Sequence, residues 1–446
     1  SACRSGPSTV SRLGWNELYV DPTALPELAT TPVARELLAS EAFRADLQSA
    51  QGSLYVDYRP AMARVRRILV PMAESLFAGP SLRREGLEEF ARAHPELVEY
   101  ARFRSAVAAG RAPERDDRRP LDAEARYHLY AQWVAAEQLA AAGDRLYLDL
   151  PVGVHPDGFD PWWEPGAFAE GVEGGAPPDA FFAGGQRWGF RPLHPRGIRD
   201  SGYRYPIACL RHLMARAAVV RIDHVMGLHR LYWVPDGRAA TEGAYVGYRA
   251  DELRAVVALE ADRAGTAVVG EDLGTVPEGV REGMAEDRML RSWVFEFAAT
   301  AADPLPDPPE PVLASLATHD LPRFATWWEE SGWPKESEPS GRPPAGTALT
   351  TSLEHLAGGP ARLLMVDLED LWGERRPQNR PGTSYGNWEN RALRTLDEMA
   401  GDRPATELLA DLDARRHGGL DARRHGGLDA GHPAPVGMDQ EEEVDR

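Results

Sequence analysis

The apolar residues Val65, Leu69, Met72 and Leu76 are spaced by 4, 3 and 4 positions, which puts them on one face of a helix. Pro71 falls inside that pattern and predicts a kink or a break, because it removes a backbone donor. A second helical run spans 87–109, interrupted near Pro95, with Gly110 as its stop. After a charged linker to Pro120, an alanine-rich helix over 124–142 carries Tyr127, Tyr130 and Val134 on one side and ends at Gly143. Beyond it the texture changes. Short apolar runs at 146–152, 217–222, 266–269, 293–297 and 313–317 read as buried strands, and 251–263 and 276–285 between them read as helices. Such alternation argues for βα units around a parallel sheet.

The rest of the chain patterns less strongly. Residues 329–346 are loop-like, 361–372 fit a helix or a strand plus turn, and 389–399 fit a helix. The eight residues 413–420 recur unchanged at 421–428. A short repeat rich in Gly and charge cannot bury a core, so 404–446 is expected to be a disordered tail. Three regions are thus expected: a mainly helical 1–125, a barrel portion at 126–403, and the tail at 404–446.

Composition narrows the function. Of 446 residues, 43% are hydrophobic and 27% charged, the balance of a soluble globular protein. No run of 18 apolar residues occurs, so no membrane-spanning helix is expected. The formal charge of -19 is the reverse of what a nucleic-acid binder needs. Cys3 and Cys209 alone cannot build a disulfide framework or a Cys-type zinc site. Lys335 is the only lysine, and it lies in a Pro/Gly/Ser-rich stretch. That excludes a P-loop and a pyridoxal Schiff base. The N-terminal residues show no charged start followed by an apolar core, so the expected location is cytoplasmic.

Three strand-like runs end in acids: Asp223 after 217–222, Glu271 and Asp272 after 266–270, and Asp320 after 316–319. In a (β/α)8 barrel the C-terminal ends of the strands share one mouth, so these carboxylates can converge. Retaining cleavage of a glycosidic bond needs two carboxyl groups about 5–5.5 Å apart, one ionised and one protonated. Arg221, two residues before Asp223, points to the same side of the strand and favours its ionised form. Crowding among acids raises a donor's pKa. Read singly, each strand-end Asp is a helix N-cap, and spacing does not choose between Glu271 and Asp272. His224 and His229 are five apart, which does not suit a helical zinc site. Trp162, Trp163, Trp188, Trp327 and Trp328 sit in Gly/Pro-rich or strand-end contexts. Each reads as core first and as a sugar-stacking face second.

Together the segments Arg221 to Gly227, Val269 to Gly274 and Thr318 to Asp320 resemble the catalytic segments of the amylomaltases, or 4-α-glucanotransferases, of the α-amylase superfamily. Residues 175–189 resemble that family's loop over the active site. Residues 149–158 resemble its third barrel strand, and 378–388 the segment after the last strands. The similarity runs from about residue 11 to 400. The resemblance implies a (β/α)8 TIM-type barrel with a helical insertion, and retaining transfer of α-1,4-glucan between maltooligosaccharides. It implies Asp223 as nucleophile, Glu271 as acid/base and Asp320 as transition-state stabiliser. Arg221, His319, Asp157, Trp188 and Asn387 would bind substrate, and neither cofactor nor metal is implied. The family's strand-rich opening, which forms barrel strands one and two, has no counterpart after Ser1. The expected barrel is therefore incomplete at its N-terminal side. An α-glucan hydrolase, and a fragment that only binds glucan, are the competing expectations.

Overall fold

The structure, a computed structural model, describes residues 10–115, 119–143, 146–179, 182–331, 343–381, 383 and 386–426. Cys3, the Lys335 stretch and residues 427–446 lie outside these. Every regular element before Tyr147 is helical. The helix Ala123–Ala142 forms the centre of this region, with residues 127–136 all buried. It packs with the helices Tyr58–Phe77 and Pro95–Ala108 through Leu69, Met72, Ala101, Tyr130 and Val134. Sequence patterning assigned it to the barrel portion, but its all-round apolar surface is satisfied only inside a helical cluster. Of the kink or break expected at Pro71, the break is absent: the helix runs unbroken through it. The carbonyl that loses its donor belongs to Arg67, an exposed residue, so water can replace the missing bond.

Ten strands follow among the described residues: β1 Tyr147–Leu150, β2 Val172–Ala176, β3 Gln186–Arg187, β4 Val219–Ile222, β5 Arg230–Pro235, β6 Ala244–Gly247, β7 Ala267–Gly270, β8 Leu290–Val294, β9 Val312–Ser315 and β10 Leu363–Met365. Six form one sheet in the order β1-β4-β7-β8-β9-β10. Every pair in it is parallel. This is an incomplete TIM-type barrel, as anticipated. Val269, Leu290 and Leu313 fill its interior with Tyr147, Val219 and Met365. The outer face of β4 and β7 packs through Val220, Ile222 and Val268 against the helix Arg204–Met214 and neighbouring apolar residues. A second sheet, antiparallel and ordered β3-β2-β5-β6, is built from the connections after β1 and β4. No helix among the described residues is long and apolar enough to cross a membrane.

Residues 361–372 form a strand plus turn, β10 followed by the short helix Leu368–Leu371. Of the helix expected over 389–399, only Leu396–Ala400 forms. Residues 388–391 instead dock on the helical region, where Val56 N–H donates to the Glu389 carbonyl at 2.7 Å and Arg391 N–H to that of Leu54 at 3.2 Å. The disordered tail expected over 404–446 is corrected in its described part, 404–426; the rest lies outside the described residues. A helix spans Arg403–Gly426. Leu412 is buried in the cluster of the helix Ala345–Gly358, with Leu408 packed against it. Two leucines at helical spacing, next to the charged repeat, supply the apolar contact that composition alone concealed.

Candidate active site

Register brings the first two acids together. Ile222 of β4 pairs with Gly270 of β7, so Asp223 and Glu271 each follow a paired residue on adjacent strands. Strands so paired run about 5 Å apart. The approach is set by Gly270, where a Cβ would lie 2.6 Å from Met284 Cε and 2.9 Å from Val225 Cγ2. Only glycine lets the turn after Asp223 lie against the end of β7. That turn is pinned to Glu271: Val225 N–H donates to its carbonyl at 3.0 Å, and His224 N–H donates to its Oε2 at 2.8 Å. His224 adopts a left-handed backbone at φ 49°.

Arg221 lies between two carboxylates. Its guanidinium is 2.6 Å from Asp149 Oδ1 and 3.0 Å from Asp223 Oδ1. Asp149 is the residue paired with Arg221 on β1. The cation expected to serve Asp223 alone is therefore shared with an acid that sequence reasoning did not single out. Burial in the mouth pushes the Asp149 carboxyl up and Asp223 adds to this, while Arg221 opposes it. Glu271 is pushed up to about 7, first by burial and then by the charge of Asp223, against Arg221 and two backbone N–H donors.

The alternative Asp272 is fully buried on the other side of the strand end. Arg281 and Arg291 each reach its Oδ2 at 2.8 Å, and Ser292 N–H donates to its Oδ1 at 3.1 Å. Successive residues point to opposite faces, so one faces the mouth and the other the wall.

Asp320 stands in the turn after β9. Leu321 N–H donates to the Thr318 carbonyl at 3.2 Å, which makes His319 and Asp320 the central residues. Asn379 Nδ2 donates to Asp320 Oδ1 at 2.6 Å, and Asn379 N–H donates to the His319 carbonyl at 2.9 Å. The His319 imidazole lies within electrostatic reach of Asp149, which links this turn to the other acids. Trp388, at φ 59° and 42% exposed, tilts over His319 with ring centroids 4.8 Å apart. Two residues with costly left-handed backbones thus flank the mouth, His224 on one side and Trp388 on the other.

The remaining expectations divide. Trp188 sits edge-on to His224 at 5.3 Å, close to the acids. Trp162 and Trp163 pack with Phe159, and Trp327 and Trp328 with Phe324. Asp157 is exposed on the loop after β1, joined to the acids by no hydrogen bond or ion pair among the described residues. Asn387 is buried and spent within its own loop: its Oδ1 accepts from Arg380 N–H and the Thr383 hydroxyl, and its Nδ2 donates to the Thr383 carbonyl. It holds the loop's shape, with no side-chain bond directed into the mouth.

A family model described as 4-alpha-glucanotransferase matches residues 5–395. The chain belongs to that family. The 4-alpha-glucanotransferase of Mycobacterium tuberculosis is 36% identical over 313 residues, 59% of this chain and 43% of that protein. The Haemophilus influenzae 4-alpha-glucanotransferase is 30% identical over 361 residues, 72% of this chain and 52% of that protein. The chain thus spans about half the length of these curated relatives. Among solved structures, an amylomaltase from Corynebacterium glutamicum superposes with a TM-score of 0.79 at 24% identity, covering 92% of this chain and 66% of that one. An amylomaltase from Streptococcus agalactiae, in complex with acarbose, gives 0.76 at 19% identity, covering 92% and 89%. At these identities the two structures establish the shared fold and nothing finer.

Proposed function

We propose that this chain carries the catalytic acids of a 4-α-glucanotransferase acting on α-1,4-linked maltooligosaccharides. The observation that carries the reading is the pair on adjacent strand ends: Asp223 in contact with Arg221, and Glu271 pushed up to about 7 beside it. A retaining mechanism asks for one carboxylate and one carboxylic acid close together, and the pairing of Ile222 with Gly270 puts these two on neighbouring strand ends.

In the first step an Asp223 carboxylate oxygen attacks the anomeric carbon. The bond to the leaving O4 breaks, and Glu271 gives its proton to that oxygen. The donor's non-reducing part is then esterified to Asp223, and the shortened glucan departs. In the second step Glu271, now ionised, takes the proton from the 4-hydroxyl of an acceptor. That oxygen attacks the same carbon and Asp223 leaves, so configuration is retained. Arg221 holds the attacking carboxylate charged. Asp320, oriented by Asn379, faces the ring as positive charge develops. Trp188 and Trp388 offer stacking faces at the two sides of the mouth, with His319 and Asp157 as polar contacts to sugar.

Incubation with maltotriose tests the reading. A transferase yields glucose together with glucans longer than maltotriose, whereas a hydrolase yields only shorter sugars. Absence of both from the folded full-length protein would leave glucan binding alone and refute the proposal.

A further inference from the structure

Behind the mouth lies a second group of charges. Arg323 is 1% exposed and heads the largest fully buried side chains. Around it stand Glu296 from the end of β8, and Asp367 and Asp370 from the end of β10. Its guanidinium donates to the Thr318 carbonyl at 2.6 Å and meets Asp367 at 3.2 Å. The next residue, Phe324, donates its N–H to Asp370 Oδ1 at 2.9 Å. The Thr318 carbonyl is the acceptor that closes the turn holding His319 and Asp320. Arg323 therefore grips the base of that turn and ties it to the end of β10, while Asn379 grips its tip.

We propose that Arg323 is a positioning residue: through the Thr318 carbonyl and Asp367 it fixes the turn after β9, and so fixes where the Asp320 carboxylate stands. The inference rests on the catalytic reading of Asp320 given above. Two features support a positioning role over plain packing. The planar fork of arginine reaches two acceptors on different elements, which the point charge of lysine cannot reproduce. A buried cation also has to be present, since three carboxylic groups with no counter-charge would leave the turn without a fixed partner.

The test compares Arg323→Met, Arg323→Lys and Asp320→Asn in the full-length protein. Hydrogen exchange is read at the Leu321 amide and, as internal reference, at the Val225 and Glu271 amides. Arg323→Met should speed exchange at Leu321 by about tenfold or more and leave the reference amides unchanged, with Arg323→Lys in between. With maltotriose, kcat should fall by about 100-fold while KM stays within about threefold, since the loss is of geometry around the transition state. Should Arg323→Met fail to fold, Asp367→Asn opens the other arm of the clamp and should shift Leu321 exchange and kcat in the same direction. Unchanged exchange at Leu321, or an equal rise at all three amides, overturns the clamp. An inactive Asp320→Asn beside a fully active Arg323→Met also overturns it. Full activity in Asp320→Asn would instead strike the catalytic reading.

Discussion

Two clusters in this molecule have the same composition, one arginine among three acids, and opposite character. At the mouth, Arg221 bonds two carboxylates at 2.6 and 3.0 Å, and Glu271 accepts two backbone N–H groups. Behind it, among the described residues, Arg323 pairs with Asp367 at 3.2 Å, and Glu296 Oε1, Arg323 Nε and Asp370 Oδ2 are buried with no hydrogen-bond partner. The mouth keeps solvent contact, with the Asp149 side chain 47% and that of Asp223 29% exposed. In the rear cluster Asp367 keeps 33% exposure, but Arg323, Glu296 and Asp370 are buried, and burial pushes Glu296 up to about 9 and Asp370 up to about 6. A shared inventory thus yields a carboxyl poised to exchange a proton near neutrality in one place and, in the other, a brace in which Glu296 keeps its proton. Hydration and pairing separate them.

The largest expected effect breaks the front cluster directly. Asp223→Asn should reduce maltotriose disproportionation by about 1,000-fold or more, since on the proposed mechanism it removes the nucleophile; survival of full activity would refute that role. Next comes Arg221→Met, expected to lower kcat by about 100-fold. Arg221 holds Glu271 down, so its removal raises that pKa. The alkaline limb of the pH–rate profile, which in the parent falls near the Glu271 value of about 7, should then move to higher pH. A limb that stays put or moves down contradicts the shared-cation geometry.

Asp272→Asn sharpens the contrast between neighbours. It breaks a fully buried carboxylate away from Arg281 and Arg291, and should cost about 3 kcal/mol in denaturant unfolding. The pH–rate profile of the remaining folded protein should keep its shape. The smallest effect belongs to Glu296. Its raised pKa means that the folded state keeps a proton the unfolded chain releases. The stability this group contributes is complete below the ordinary glutamate value of 4.5 and is lost as pH rises toward about 9. Glu296→Gln should therefore match the parent near pH 5 and melt about 3 °C higher near pH 9. An equal Tm shift at both values would remove titration from the explanation.

Much of the front cluster was legible in the sequence because it obeys a period. An apolar strand followed by an acid, three times, reads out the shared mouth. Arg221 two positions before Asp223 reads out the shared face. The choice of Glu271 over Asp272 was not legible, since it depends on which face of β7 its first post-strand residue continues. Asp149 was visible only as part of a motif, because its partnership with Arg221 is set by strand pairing. The bonds by which Asn387 holds its own loop were not legible for a similar reason: Arg380 and Thr383 are met only once the loop has closed on itself. Asn379 and Arg323 act on a turn that no periodicity announces. The helix Arg403–Gly426 was hidden by composition, with two leucines outvoted by the repeat beside them.

That helix has a further consequence. After Leu412 it enters the eight-residue repeat, where Arg415 still pairs with Glu354 at 2.9 Å and Arg416 donates to the Ala361 carbonyl at 2.7 Å. Each copy advances a helix by about 12 Å and turns it by about 80° beyond two full revolutions. A period of eight is therefore not a whole number of helical turns, so such a repeat does not regenerate the face on which Leu412 sits. Inserting or deleting one unit would change the chain beyond Arg416 in fixed steps, while the leucine anchor stays where it is.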